Sequence, residues 1–155
     1  MADKRILIVG HVPSPNTQSL RDAVVAGASS SEISGVVVIA LSPFEAGPAD
    51  VLKADAVLLG TTENLGYMSG ALKDFFDRTY YGVLEQKQGM PYALYVRAGL
   101  DGTGTIRGVS SIVTGLRWKP VCEPLLLKGD WQDDFVDQAF ELGQLVAAGL
   151  EAGVF

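Results

Sequence analysis

Short apolar runs alternate along this chain with stretches in which apolar residues recur every three or four positions. Ile6 to Val9, Val36 to Leu41, Ala56 to Leu59 and Tyr92 to Val96 are runs of the first kind. A run with no polar alternation reads as a strand buried on both faces. Val121 to Leu127 predicts a fifth strand, and its Pro124 removes one ladder donor and so points to a sheet edge. Between the strands, Leu20, Ala23, Val24 and Ala28 share one helical face, Arg21 and Asp22 turn away from it, and Gly27 with Ser29 to Ser31 ends the helix. Leu72, Phe75, Phe76 and Tyr80 form a second stripe; Lys73, Asp74, Asp77 and Arg78 on its other side read as solvated charges. Ile106, Val109, Val113 and Leu116 form a third stripe, and Phe135, Ala139, Leu142, Val146 and Leu150 a fourth. Pro48 to Lys53 allows only a short helix.

Strands alternating with helices predict an α/β fold, one parallel sheet with helices on both faces, in a single domain spanning residues 1 to 155. Right-handed crossovers leave few topologies, and the doubly wound order 2-1-3-4-5 suits five such strands. A ligand then lies outside the carboxyl ends of the strands, at the switch between strands 1 and 3. Three connections stand out for polar and glycine content: the loop after Gly10, Thr61 to Gly70, and Ala98 to Gly104. They follow strands 1, 3 and 4, which this order brings to one crevice.

The first of these loops runs from a buried strand straight into a helix N-terminus, where unpaired N–H groups and the helix dipole favour an anion. Ser14, Asn16 and Thr17 add hydroxyl and amide donors, and no Lys or Arg occurs from His11 to Leu20. A phosphate there would be held by neutral donors; the plainer reading is that Asn16 or Thr17 caps the helix. A net charge of −6 argues against nucleic acid and anionic membrane as partners, and suits an electron carrier that docks on basic proteins. MADKR leads directly into the first strand without a signal peptide or long apolar span, so a cytoplasmic location is expected. The single Cys122, among apolar neighbours, reads as core, and one His leaves no metal cluster.

Other nucleotide chemistries lack their residues. There is no glycine-rich loop ending in Gly-Lys-Ser/Thr and no G-x-G-x-x-G after the first strand. A phospho-receiver would need acidic residues where Gly10-His11 and Gly60-Thr61 stand.

Two segments carry a family likeness. PSPNTQSL resembles the phosphate loop of flavodoxin-like proteins, and GTTENLGYMSGALKDFFDR (residues 60–78) resembles the second signature of flavodoxin-like NAD(P)H-dependent FMN reductases. The latter group includes the quinone oxidoreductases first named as Trp-repressor-binding proteins. Gly60, Thr61, Gly66, Met68, Phe76 and Asp77 match that signature in spacing. The resemblance implies a flavodoxin-like three-layer sandwich and FMN as cofactor. Ser14, Asn16, Thr17, Gln18 and Ser19 would then serve the phosphate. Thr61, Thr62, Glu63, Asn64, Leu65, Gly66, Tyr67 and Met68 would serve the flavin ring, and Ala98, Gly99, Asp101, Gly102 and Gly104 its pyrimidine side.

The chain departs from the pattern at His11, at Thr62 in place of Pro, and at the acidic Glu63. Tyr67 could stack on the ring, but residues 98–104 offer no second aromatic, which leaves one flavin face open to a nicotinamide or quinone. The resemblance therefore implies an oxidoreductase that takes hydride from NAD(P)H and passes it to a quinone, another small acceptor or a redox protein. The cofactor supplies the chemistry, so no catalytic side chain is assigned. A one-electron carrier reduced by a separate partner, and a scaffold that has lost its cofactor, remain as alternatives. Glu63 and Asp101, if near the ring, would lower its potential, and His11 either reaches the ligand or packs at the strand end. Relatives often form homo-oligomers that complete the pocket.

Overall fold

The structure is a computed structural model, and it describes residues 3–155. Strand β1 (Lys4–Gly10) leads to helix α1 (Pro15–Ala28), then β2 (Val36–Leu41), α2 (Pro48–Lys53), β3 (Ala56–Asn64) and β4 (Tyr67–Met68). α3 (Gly70–Val83), β5 (Pro91–Ala98), α4 (Thr103–Leu116), β6 (Lys119–Pro120), β7 (Leu125–Lys128) and α5 (Asp134–Ala152) follow. The sheet runs β2-β1-β3-β5, with β6 and β7 end to end along the outer edge of β5, all parallel. Counting β6 and β7 as one interrupted strand, this is the expected order.

Alternate residues of the central strands face opposite layers, as a parallel sheet requires. Leu7, Val9, Val57, Leu59, Leu94 and Val96 pack with α3 and α4, through Leu72, Phe75, Phe76, Val109 and Val113. Ile6, Ile8, Leu58 and Tyr95 pack with α1 and α5, through Leu20, Val24, Leu142 and Val146. Gly27, expected to end α1, instead lies inside it at the crossing with α5. A Cβ there would sit 2.0 Å from the Phe140 carbonyl oxygen, and one at Gly143 would sit 2.1 Å from that of Val24. These glycines let the two backbones touch.

Five further expectations are corrected. The fifth strand breaks: Tyr92 pairs with Pro120 and Tyr95 with Leu125, so four residues on the outer strand span two on β5. Two prolines bracket the excursion and cannot donate to the ladder. Cys122 sits in that excursion, half-buried rather than in the core, and lines a cleft of about 620 Å³ between β5, α4 and residues 120–124. Strand β2 is an edge and only half-buried, because the short α2 cannot cover it. Arg78 is no free surface charge. Besides its ion pair with Asp74 (2.7 Å), it donates to the Ala46 and Pro43 carbonyls and ties α3 to the turn before α2.

The fifth correction shapes the crevice. The polar segment after Leu59 is not an open loop. β3 continues to Asn64, turns in two residues and returns as β4, with Glu63 opposite Met68 and Asn64 opposite Tyr67. Leu65 (φ 53°) and Gly66 (φ 76°) both take left-handed backbone, which is the type I′ turn.

Candidate functional site

The floor of the crevice is a row of three residues in register across β1, β3 and β5: Gly10, Gly60 and Tyr95. Tyr95 lays its ring across the sheet, and a Cβ at Gly60 would come within 2.1 Å of that ring's Cζ. One at Gly10 would come within 3.0 Å of its hydroxyl. The two glycines therefore make room for an aromatic. Burial pushes the Tyr95 phenol well above its ordinary pKa, and among the described residues its hydroxyl has no hydrogen-bond partner. Arg21 is drawn in too, its stem lying against Gly10 instead of turning into solvent.

From this floor rise three walls. Residues 11–14 form the first, joined to β3 by the His11 N–H donating to the Gly60 carbonyl (3.0 Å). Ser14 is the N-cap of α1, and its Oγ accepts from the Thr17 N–H (3.2 Å). Thr17 Oγ1 in turn accepts from the Ser14 N–H (3.0 Å), and the two hydroxyl oxygens lie 3.0 Å apart. The cap is therefore Ser14 rather than Asn16 or Thr17, and Thr17 completes the capping box from the third helical position. Pro15 at the first helical position has no N–H, so Asn16 supplies the free amide of the turn. Asn16, Gln18 and Ser19 are exposed, and the Ser19 hydroxyl bonds back to the Pro15 carbonyl (3.2 Å). The His11 side chain is half-buried, which pulls its pKa below the ordinary value and favours the neutral ring.

The second wall is the β3–β4 hairpin. Thr61 is buried, with its Oγ1 2.9 Å from Ser69 Oγ and accepting from the Ser69 N–H (3.0 Å). Ser69 caps α3 by accepting from the Leu72 N–H (3.2 Å). It was missed in the sequence, although a serine directly before an apolar helical stripe is the ordinary cap signal. Thr62 donates to Asn64 Oδ1 (2.7 Å). Met68 is buried. Tyr67 lies against α4, where a Cβ at Gly108 would meet its ring at 2.4 Å, so its ring rests on the helix with 39% exposure. Leu65, at the tip, is fully exposed at 106%.

The third wall, residues 98–104, closes against the second. The Glu63 carboxylate accepts from the Leu100 N–H (2.9 Å) and the Gly102 N–H (2.8 Å). A Cβ at Gly104 would lie 1.9 Å from the Gly66 carbonyl oxygen, so the hairpin tip and the first turn of α4 touch through backbone. Asp101 is exposed and accepts from the Thr103 N–H (3.0 Å), which holds its carboxyl below the usual range. Ala98 is buried, Gly99 exposed, and Leu100 is 75% exposed beside them.

The site therefore has two unlike ends. Around the start of α1 stand hydroxyls, an amide side chain and a helix N-terminus, with no cation from His11 to Leu20. At the hairpin and the β5–α4 loop stand backbone edges and two exposed aliphatic side chains. The donor set fits a phosphate monoester at one end and a flat, partly apolar ring at the other, which is the shape of FMN. The 620 Å³ cleft beside Cys122 lies at the far edge of the sheet and is no part of this convergence.

No family model matches this chain, and no curated protein matches it. Solved structures do. A flavodoxin from the domain Archaea superposes with a TM-score of 0.79 at 20% identity, over 94% of this chain and 98% of that one. A flavodoxin, WrbA-like protein from Agrobacterium tumefaciens gives 0.74 at 16%, over 94% and 96%. The flavodiiron core from Synechocystis gives 0.78 at 14%, where the match spans 97% of this chain but 36% of the other. The chain has the flavodoxin-like fold.

Proposed function

We propose that the chain is an FMN-binding flavoprotein that accepts reducing equivalents from NAD(P)H and passes them to a quinone, another small acceptor or a redox protein. The observation that carries this is the polarity of the crevice, with neutral phosphate donors at the α1 end and exposed Leu65 and Leu100 at the other. The likeness to flavodoxins and to a WrbA-like protein supports it. Ser14, Asn16 and Thr17 would hold the phosphate, and the hairpin with residues 98–104 would hold the ring. Bound FMN would supply hydride and electron transfer; the protein binds it, orients it and limits water at it.

The test is FMN titration of the purified chain, followed by NADH or NADPH oxidation with a quinone present. Saturating FMN at about a hundred times its Kd should stabilise the fold by about 2.7 kcal/mol. A chain that takes FMN yet leaves both nicotinamides unoxidised is an electron carrier served by a separate reductase, a role the net charge of −6 suits. A colourless chain whose melting FMN does not move refutes the proposal.

A further inference from the structure

Glu63 is the residue that departs furthest from expectation. Its backbone is fixed opposite Met68 within the hairpin. Its side chain leaves that element and crosses to the β5–α4 loop, one oxygen on the Leu100 N–H and the other on the Gly102 N–H. The hairpin and the first turn of α4 do not need the bridge to hold their own shape. The hairpin is closed by its ladder and by the Thr61–Ser69 hydroxyl pair. The start of α4 has its own acceptor, since the Asp101 carboxylate takes the Thr103 N–H. Among the described residues, both side-chain hydrogen bonds between the hairpin and this loop end on Glu63. An anion with two converging amide donors is also the strong kind of hydrogen bond.

We propose that Glu63 is a positioning residue that sets the spacing of the two walls flanking the ligand ring and holds residues 99–102 in the form the ring meets. The inference rests on the FMN reading above. It also reassigns the carboxylate: engaged by two amides, it acts on the ligand through the loop. Loss of the bridge lets the loop open, so the ligand must then order it on binding, and the cost falls on affinity.

The experiment reads the bridge and the affinity separately, in wild type, Glu63→Gln and Glu63→Ala. Amide hydrogen exchange of the FMN-free chain, resolved at Leu100 and Gly102, reads the bridge. In Glu63→Ala both amides should exchange roughly tenfold faster, with the core strands unchanged. Gln keeps one acceptor oxygen, so one of the two amides should stay protected. FMN affinity, read by flavin fluorescence, should weaken roughly tenfold in Glu63→Ala, the size of one charge-assisted hydrogen bond, with Gln between. Unchanged exchange in Glu63→Ala overturns the bridge whether or not FMN binds. Faster exchange with an unchanged FMN Kd overturns the positioning role. A wild-type chain that ignores FMN removes the cofactor reading, and the positioning role with it, even where the exchange arm finds the bridge intact.

Discussion

One added methyl group tests the floor of the crevice. In Gly60→Ala the new Cβ would lie 2.1, 2.3 and 2.4 Å from Cζ, the hydroxyl oxygen and Cε1 of Tyr95. All three distances are far inside van der Waals contact, and the ring is 2% exposed within the cluster formed by Ile6, Ile8 and Leu58. It has no open side to swing into. Gly60 has no positive φ, so alanine meets no backbone objection there. On propensity alone the change would stabilise a strand by about 0.5–1 kcal/mol. Overpacking of a closed core costs about 3 kcal/mol, so packing decides the sign. The net loss of about 2–2.5 kcal/mol should lower the melting temperature of a chain of this length by about 4–10 °C. The cause is isolated by a double-mutant cycle with Tyr95→Ala. That change alone leaves a cavity and costs about 3–5 kcal/mol. In its background the Cβ at position 60 has room, and the cost of Gly60→Ala should vanish. Urea unfolding of the four proteins at constant m measures the coupling, expected at about 3 kcal/mol. Additive costs would show that Tyr95 is not what Gly60 makes room for.

Two further outcomes follow from single residues. Leu65 holds a left-handed conformation at φ 53° with its side chain fully in water, so Leu65→Asn should stabilise the FMN-free chain by about 1 kcal/mol while weakening FMN binding; a thermal melt and a titration read the two, and a variant that binds FMN as tightly as wild type removes Leu65 from the site. For His11, burial lowers the folded pKa below 6.5, so the folded state binds its proton more weakly than the unfolded chain. Its contribution is present above the unfolded value and lost as pH falls through the folded one. His11→Asn should therefore flatten the loss of stability between about pH 7 and 5, and matching acid limbs in urea unfolding would contradict the assignment.

The sheet was legible because its signal is redundant. Apolar runs, helical stripes and the handedness of crossovers all constrain the same topology, so Ile6 to Val9 and Leu72 to Phe76 could hardly be misread. The hairpin was hidden because its turn uses Leu65 where Asn or Gly is the recognisable residue, and because β4 is two residues long. Ser14 and Ser69 carry the ordinary N-cap signal, yet the sequence reading pointed to Asn16 or Thr17 for α1 and to no cap for α3. The Tyr95 contact was invisible for another reason. Sequence shows a glycine, but which side chain fills its space depends on strand register, here 35 residues apart for Gly60 and Tyr95. Glu63 likewise looked like a charge beside a ligand; only the fold shows that two amides of a later loop converge on it.

Those two ends make a last prediction, on salt. A phosphate monoester carries close to two negative charges, and the chain carries −6. Were Lys or Arg holding the phosphate, added salt would weaken binding by screening the attraction. With hydroxyls and a helix N-terminus as the donors, short-range hydrogen bonds carry the affinity and the long-range field of the chain opposes it. A unit charge pair at 10 Å in water is worth about 0.4 kcal/mol, so the net repulsion is of order 1 kcal/mol. Raising ionic strength from about 0.01 to 0.15 M shortens the screening length from about 30 to 8 Å. FMN binding should therefore tighten, by roughly two- to fivefold, the change that removing such a repulsion produces. A Kd that rises with salt would mean that a cation such as Arg21 reaches the phosphate, and the neutral-donor account of the α1 loop would fall.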